Sequence, residues 1–359
     1  MFLSEGLNLL IIALAVFAIT PLRKVFFREP LLSKATLPRE RIDYFDFLKG
    51  VAIISVIIIH VAYFFQHLNP YNNDFFINTV TNLLRFAIPF FFICSGMLLA
   101  SFDSHKMKLG KYYYNKFIRI IIPYLIMNVL FAAYLQPSME EFVVNVIDGA
   151  VIPPYYFKVV LVIFYLIFPL IRRFKDSKIF LLASFFISFI SFFLPQLLMY
   201  GALLFTTNLF FFFVYGMYMR NYFLPGTRPA IKKEAILWWV IILLYLWIVL
   251  GFSGFYYNNQ FFYGIAVFNL FFIFKDKIIQ IPKVFFRALC SFGRASLWIF
   301  LTHFPIVFLI YSILSFGNFN YYVFYALTGV FSIVICYLAG KISLLAYNGV
   351  LKVLYIKVS

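Results

Sequence analysis

Asp46-Phe47-Leu48-Lys49-Gly50-Val51-Ala52-Ile53-Ile54-Ser55-Val56-Ile57-Ile58-Ile59-His60 decides how this chain is read. A charged entrance is followed by an apolar run, and the run ends on an imidazole. As a helix, Lys49 and His60 are eleven residues apart, close to three turns, and Asp46 and His60 fourteen, close to four. All three then share one face. The rise from Lys49 to His60 is about 16 Å, roughly half the thickness of a hydrocarbon core. Polar groups at that depth are costly and usually functional.

Outward from this stretch the composition agrees with a membrane. The chain has 359 residues, is 64% apolar and only 12% charged, and holds 52 Phe and 26 Tyr. Soluble domains are about 45–50% apolar. The expectation is an all-α, polytopic transmembrane helix bundle with no sizeable soluble part, called one domain over 1–359. Apolar runs predict eleven spans, roughly 6–22, 47–66, 76–101, 115–135, 154–171, 179–197, 203–219, 236–253, 260–274, 294–315 and 321–341. The run from Leu7 to Ile19 has no basic residue before it, whereas Arg23, Lys24 and Arg28 follow it. A signal peptide has the opposite order, so 1–28 reads as a retained helix with its N-terminus outside.

The net charge of +17 follows the positive-inside rule rather than pointing to nucleic acid. Of the 30 Lys and Arg, all but Arg85 and Lys158 lie in alternate connections or their flanks, on one predicted side. This places the C-terminus in the cytoplasm. Arg85 and Lys158 fall in the outer parts of spans. Either they snorkel to the outer interface, or they line an outward-facing cavity. The outer connection 136–153 holds Glu140, Glu141 and Asp148, and its apolar spacing suits an interfacial or re-entrant helix. The inner segment 275–294 reads as a basic amphipathic stretch. Pro89, Gly96, Pro123, Pro169, Pro195 and Pro305 interrupt spans, and such breaks often mark cavities. Cys94, Cys290 and Cys336 sit in apolar runs without metal-ligand spacing, so they read as packing residues and no metal site is expected.

His303, in Ser296-Leu297-Trp298-Ile299-Phe300-Leu301-Thr302-His303-Phe304-Pro305, is a second mid-span imidazole. Two such groups suit shared acid–base work, or one of them holds a helix in place. His67 and His105 lie at span ends. Lys116 and Arg119 open the fourth span three residues apart and so on one helical face, with Lys111 before them. Such a pair suits phosphates.

Asp46-x-x-Lys49-Gly50 running to His60 resembles the first core helix of the acyltransferase 3 family of membrane acyltransferases, in which an Arg stands eleven residues before the His. Here Lys49 takes the Arg position. Phe90-Phe91-Phe92-Ile93-Cys94-Ser95-Gly96-Met97 resembles the family's aromatic-Ser-Gly segment. Lys116-x-x-Arg119 before Ile120 to Pro123 resembles its basic pair, again with Lys for the first Arg. Phe211 to Gly216 and Trp298 to Pro305 resemble later spans. The resemblance covers about 40–340, and the Lys-for-Arg changes resemble the branch that includes fucose acetylases.

The resemblance implies a ten-helix core over 40–341, preceded by one extra helix, in a bacterial cytoplasmic membrane. It implies an O-acyltransferase moving an acyl group, most often acetyl, from cytosolic acyl-CoA to a hydroxyl of an envelope glycan or lipid-linked sugar. Acyl-CoA is then a co-substrate, and no tightly bound cofactor or nucleic-acid partner is expected. His60 is the expected general base, with Asp46 and His303 as catalytic companions. Lys49, Lys116 and Arg119 face the donor. Arg85, Ser95 and Lys158 face the acceptor or the developing oxyanion.

Two other classes fit the same composition. Mid-membrane histidines also suit a proton-coupled exporter of a glycan or small molecule, although no inverted repeat is evident. A noncatalytic scaffold of the envelope has no need for the alignment of Lys49 with His60. Acyl transfer by purified protein separates the first class from the other two.

Overall fold

A computed structural model describes residues 43–69, 74–101, 108–193, 202–223, 233–252 and 260–353. The expected helix at 6–22, His105 and the connection 254–259 lie outside them. The described chain is all-helical: α1 Asp43–Leu68, α2 Asp74–Leu84, α3 Ala87–Ala100, α4 Leu109–Lys116, α5 Ile122–Leu135, α6 Met139–Asp148, α7 Tyr156–Ile171, α8 Lys178–Phe193, α9 Ala202–Phe223, α10 Lys233–Phe252, α11 Gln260–Ile273, α12 Lys275–Ile279, α13 Lys283–Leu314 and α14 Tyr321–Val353. Six stretches among the described residues are long and apolar enough to cross a membrane: Asp43–Leu68, Phe75–Ala100, Leu109–Leu135, Pro153–Phe174, Lys283–Leu314 and Tyr321–Val353. Shorter apolar helices occupy Lys178–Phe192, Ile236–Ile248 and Phe261–Ile273.

The described residues form two compact units, one from 92–223 and the other from 43–91 with 233–353. In the second unit, α1 and α13 run side by side in the same direction. Glycine sets how close they come. A Cβ on Gly50 would strike the Leu289 carbonyl, and one on Gly293 would strike the Asp46 carbonyl. The two helices therefore meet backbone to backbone, the use of small residues expected in membranes, where no hydrophobic effect drives helices together. α14 returns antiparallel along α13. The Tyr337 hydroxyl lies 2.8 Å from Ser291 Oγ near one end of α13, and the rings of Tyr311 and Phe324 meet near the other. In the first unit, Gly96 and Gly216 repeat the arrangement. Each lies against the other helix's backbone, at Phe213 and Ile93 respectively.

Prolines explain the breaks. Pro89 has no N–H for the Arg85 carbonyl and its ring crowds that carbonyl. The span Phe75–Ala100 accordingly breaks at Arg85-Phe86. Near this break the Leu83 carbonyl accepts from the Tyr263 hydroxyl at 2.9 Å. Pro169 frees the carbonyl of Tyr165 in the same way, and the Tyr112 hydroxyl donates to it at 2.9 Å. Tyr113 donates to the next carbonyl, Leu166, at 3.0 Å. A lipid-embedded backbone must find such partners within the protein. Pro123 acts differently: before it, Phe117–Ile121 is a π-helical turn in which the Ile122 N–H reaches the Phe117 carbonyl.

Helix α6 fills the connection 136–153, as its spacing predicts. Ser138 and Glu141 close a reciprocal capping box, and Gly149 ends the helix at φ 69°. The segment 275–294 departs from expectation. It divides into the short α12 and the opening turns of α13, which runs 32 residues without interruption. Pro282 starts that helix, and Gly293 belongs to its crossing with α1, so Lys283, Arg287 and Arg294 lie on a span that begins earlier than the expected 294–315, while Lys275 and Lys277 stay on α12.

Candidate active site

Unbroken α1 keeps the register that the sequence predicts from Asp46 to His60. At its head the Asp46 carboxylate holds the Lys49 ammonium at 2.8 Å, with Asp46 buried and Lys49 partly exposed. Asp43 lies 3.9 Å from Arg294 of α13. Asp46 is about 21 Å along the helix from His60. It touches Lys49 and the α13 backbone, and its influence on His60 is not by contact.

His60 meets His303. The ring centroids are 4.9 Å apart, tilted by 50°, and Phe304 stands edge-on to His60 at 5.2 Å. His303 is fully buried. Its Nδ1 is 2.7 Å from the Phe300 carbonyl. A carbonyl only accepts, so Nδ1 carries the hydrogen and Nε2 is the acceptor nitrogen of the neutral ring. Phe300 lies in the turn just before Pro305, and the bond fixes the ring at that point. His60 Nδ1 is buried and has no hydrogen-bond partner among the described residues. A buried imidazole nitrogen left in this way suits a ligand's hydroxyl. His67 differs: its ring is exposed and bonds the Tyr63 carbonyl of its own helix at 2.8 Å.

In the first unit, Lys116 and Arg119 are not equivalent. Arg119 is exposed. Lys116 lies with its ammonium 4.1 Å from the centre of the Tyr165 ring and 5.6 Å from that of Tyr112. The π-turn that starts at Phe117 alters the spacing on which the shared face rested. Beside Lys116 is a cavity of about 310 Å³ walled by Tyr113, Phe117, Ile120, Val162 and Tyr165. Ser95 is half-buried and accepts from the Tyr165 hydroxyl at 3.4 Å. Lys158 is buried at 3% exposure, near the Phe157 ring, so it does not snorkel. Arg85 is half-exposed at the break between α2 and α3. Lys111 is exposed.

Sequence reasoning missed Tyr165, which joins Lys116 to Ser95, and Asn128, a fully buried amide that donates to the Tyr124 carbonyl at 2.7 Å. The missing N–H of Pro169 was a usable signal for Tyr165, because it marks the carbonyl at that position as needing a donor. No cluster of metal-ligating side chains occurs among the described residues.

A family model described as an acyltransferase domain matches residues 42–341. No curated protein and no solved structure matches the chain. The match begins at the head of α1 and takes in both facing imidazoles, the Ser95-Gly96 crossing and the basic segment at Lys116. The chain is a multi-pass membrane protein and belongs to the acyltransferase 3 family, whose members are acyltransferases.

Proposed function

We propose that this protein moves an acyl group, acetyl by preference, from cytosolic acyl-CoA to a hydroxyl of an envelope glycan or lipid-linked sugar at a bacterial cytoplasmic membrane. The observation that carries the reading is the pair of mid-span imidazoles. Two histidines on parallel helices face each other at 4.9 Å, and the buried Nδ1 of His60 has no hydrogen-bond partner among the described residues. A sugar hydroxyl is a poor nucleophile until a base takes its proton. His60 fills that role: its lone pair receives the proton as the hydroxyl oxygen attacks the thioester carbonyl. The C–S bond then breaks, the proton passes from the His60 imidazolium to the departing sulfur, and CoA leaves as thiol with His60 neutral again. His303, fixed by the Phe300 carbonyl, supports His60 across the ring contact.

In this reading Lys49, steadied by Asp46, and Lys116 with Arg119 meet the anionic donor from the cytoplasmic side. Ser95, Arg85 and Lys158 serve the acceptor or the oxyanion. The topology that goes with it has eleven spans, an outside N-terminus and a cytoplasmic C-terminus, supported by the distribution of Lys and Arg. Purified protein given radiolabelled acetyl-CoA and envelope glycan should transfer label to the glycan and release free thiol. Glycan movement without label transfer would replace this reading with an exporter.

A further inference from the structure

We propose that Tyr165, in the wall of the α4–α7 cavity, is a positioning residue whose ring fixes the Lys116 ammonium and whose hydroxyl fixes that of Ser95. The inference rests on the donor reading of Lys116 and the acceptor or oxyanion reading of Ser95, and goes beyond them by naming what joins the two.

Three observations converge on this side chain. The Tyr165 ring lies under Lys116 at 4.1 Å, closer than the Tyr112 ring. Its hydroxyl points to Ser95 Oγ at 3.4 Å. Its backbone is pinned by Tyr112 and Tyr113, which donate to the carbonyls of Tyr165 and Leu166. Pro169 makes the first of these bonds necessary, because it leaves the Tyr165 carbonyl without its helical donor. Tyr165 is therefore held by its main chain from α4, while its side chain touches Lys116 at the end of that same helix and Ser95 on α3. The ring also walls the cavity of about 310 Å³ next to Lys116.

The chemistry divides along the side chain. The ring face fixes a cation, and phenylalanine offers much the same face. The hydroxyl orients Ser95, and only tyrosine supplies it. The contact of 3.4 Å is long for a hydroxyl pair, so its loss should change orientation at the cavity more than stability.

The test uses the purified full chain in lipid nanodiscs, with Tyr165→Phe and Tyr165→Leu, alone and combined with Ser95→Ala or Lys116→Ala. Tyr165→Phe should lower kcat by about 5–10-fold and leave the KM for acetyl-CoA within about twofold, the size of one modest hydrogen bond. Tyr165→Leu should in addition raise that KM by about 2–30-fold, the range of a cation held on a ring. Neither loss should deepen in its double variant: Tyr165→Phe with Ser95→Ala should match Ser95→Ala in kcat, and Tyr165→Leu with Lys116→Ala should match Lys116→Ala in KM. Fully multiplicative losses would overturn the proposal. An unchanged KM in Lys116→Ala would instead reject the donor reading, and the Ser95 cycle would still decide the positioning of the hydroxyl. Should no acyl transfer be found, labelling of Lys116 by an amine-reactive reagent separates the two questions. Its rate should change in Tyr165→Leu and stay unchanged in Tyr165→Phe, and equal rates in all three proteins would refute the ring contact.

Discussion

Replacing Gly293 by alanine should force α1 and α13 apart and lower both stability and acyl transfer. The added methyl meets the carbonyl oxygen, carbonyl carbon and Cα of Asp46, all backbone atoms that cannot rotate away. Overpacking costs about 1–3 kcal/mol, and rigid neighbours put this site near about 3. Alanine returns about 1 kcal/mol as a better helix former. The net expectation is about 2 kcal/mol of destabilisation, read as reversible unfolding in mixed micelles. The crossing also sets the facing histidines, since His303 lies on the same helix ten residues further on. A displacement of about 1 Å at a reacting centre costs up to about 10²-fold, so kcat should fall while the folded fraction still binds acyl-CoA. Gly329 and Gly349, on α14, have nothing within 4 Å of a built Cβ, and alanine there should be neutral or slightly stabilising. If Gly293→Ala proved as stable and active as Gly329→Ala, the backbone-to-backbone crossing would be refuted.

Other outcomes follow from particular contacts. Tyr112→Phe should cost about 1–3 kcal/mol by orphaning the Tyr165 carbonyl, and Pro169→Ala should recover much of that loss by restoring the helical donor; equal losses in both backgrounds would remove the link to Pro169. Lys116→Ala should raise the KM for acetyl-CoA, and Lys116→Arg should be tolerated because guanidinium also stacks on aromatic rings; normal donor binding in the alanine variant would place the donor elsewhere. Glu141 is held below its ordinary pKa by the Ser138 backbone N–H and then by the Ser138 side chain. A depressed carboxylate pKa stabilises α6 above the unfolded value, about 4.3. Amide protection in α6 should therefore hold at neutral pH and fall as pH drops through that range, and a flat profile, or one unchanged in Ser138→Ala, would remove the capping box.

How much of this was legible beforehand depends on the range of the interaction. The face shared by Asp46, Lys49 and His60 was readable because one unbroken helix fixes it by periodicity alone. So was the helix in 136–153, and Ser138-x-x-Glu141 is its own start signal. The break at Arg85-Phe86 was half legible: Pro89 announces it, but its place lies four residues upstream, where the carbonyl loses its donor. The different exposure of Lys116 and Arg119 was not legible because an α-helical spacing was applied across a π-turn, although Pro123, four residues after Arg119, was a warning. The partners of Gly50 and His60 were illegible. Leu289 and His303 stand 239 and 243 positions away in the chain, and no local pattern selects one distant residue from another. Nor did spacing reveal which tyrosine reaches which freed carbonyl, because those bonds form only once separate helices have packed.

The central claim is that His60 takes the proton of the acceptor hydroxyl, and His60→Gln tests it most directly. Glutamine keeps a side chain of similar length with a hydrogen-bonding end, and it cannot accept that proton near neutral pH. Glycan acylation by the purified variant should fall by about 10²–10⁴-fold, with expression, thermal unfolding and acetyl-CoA binding unchanged. Near-normal acylation by His60→Gln would contradict the account: His60 would then only brace the helix pair, and the proton would have to leave through another group.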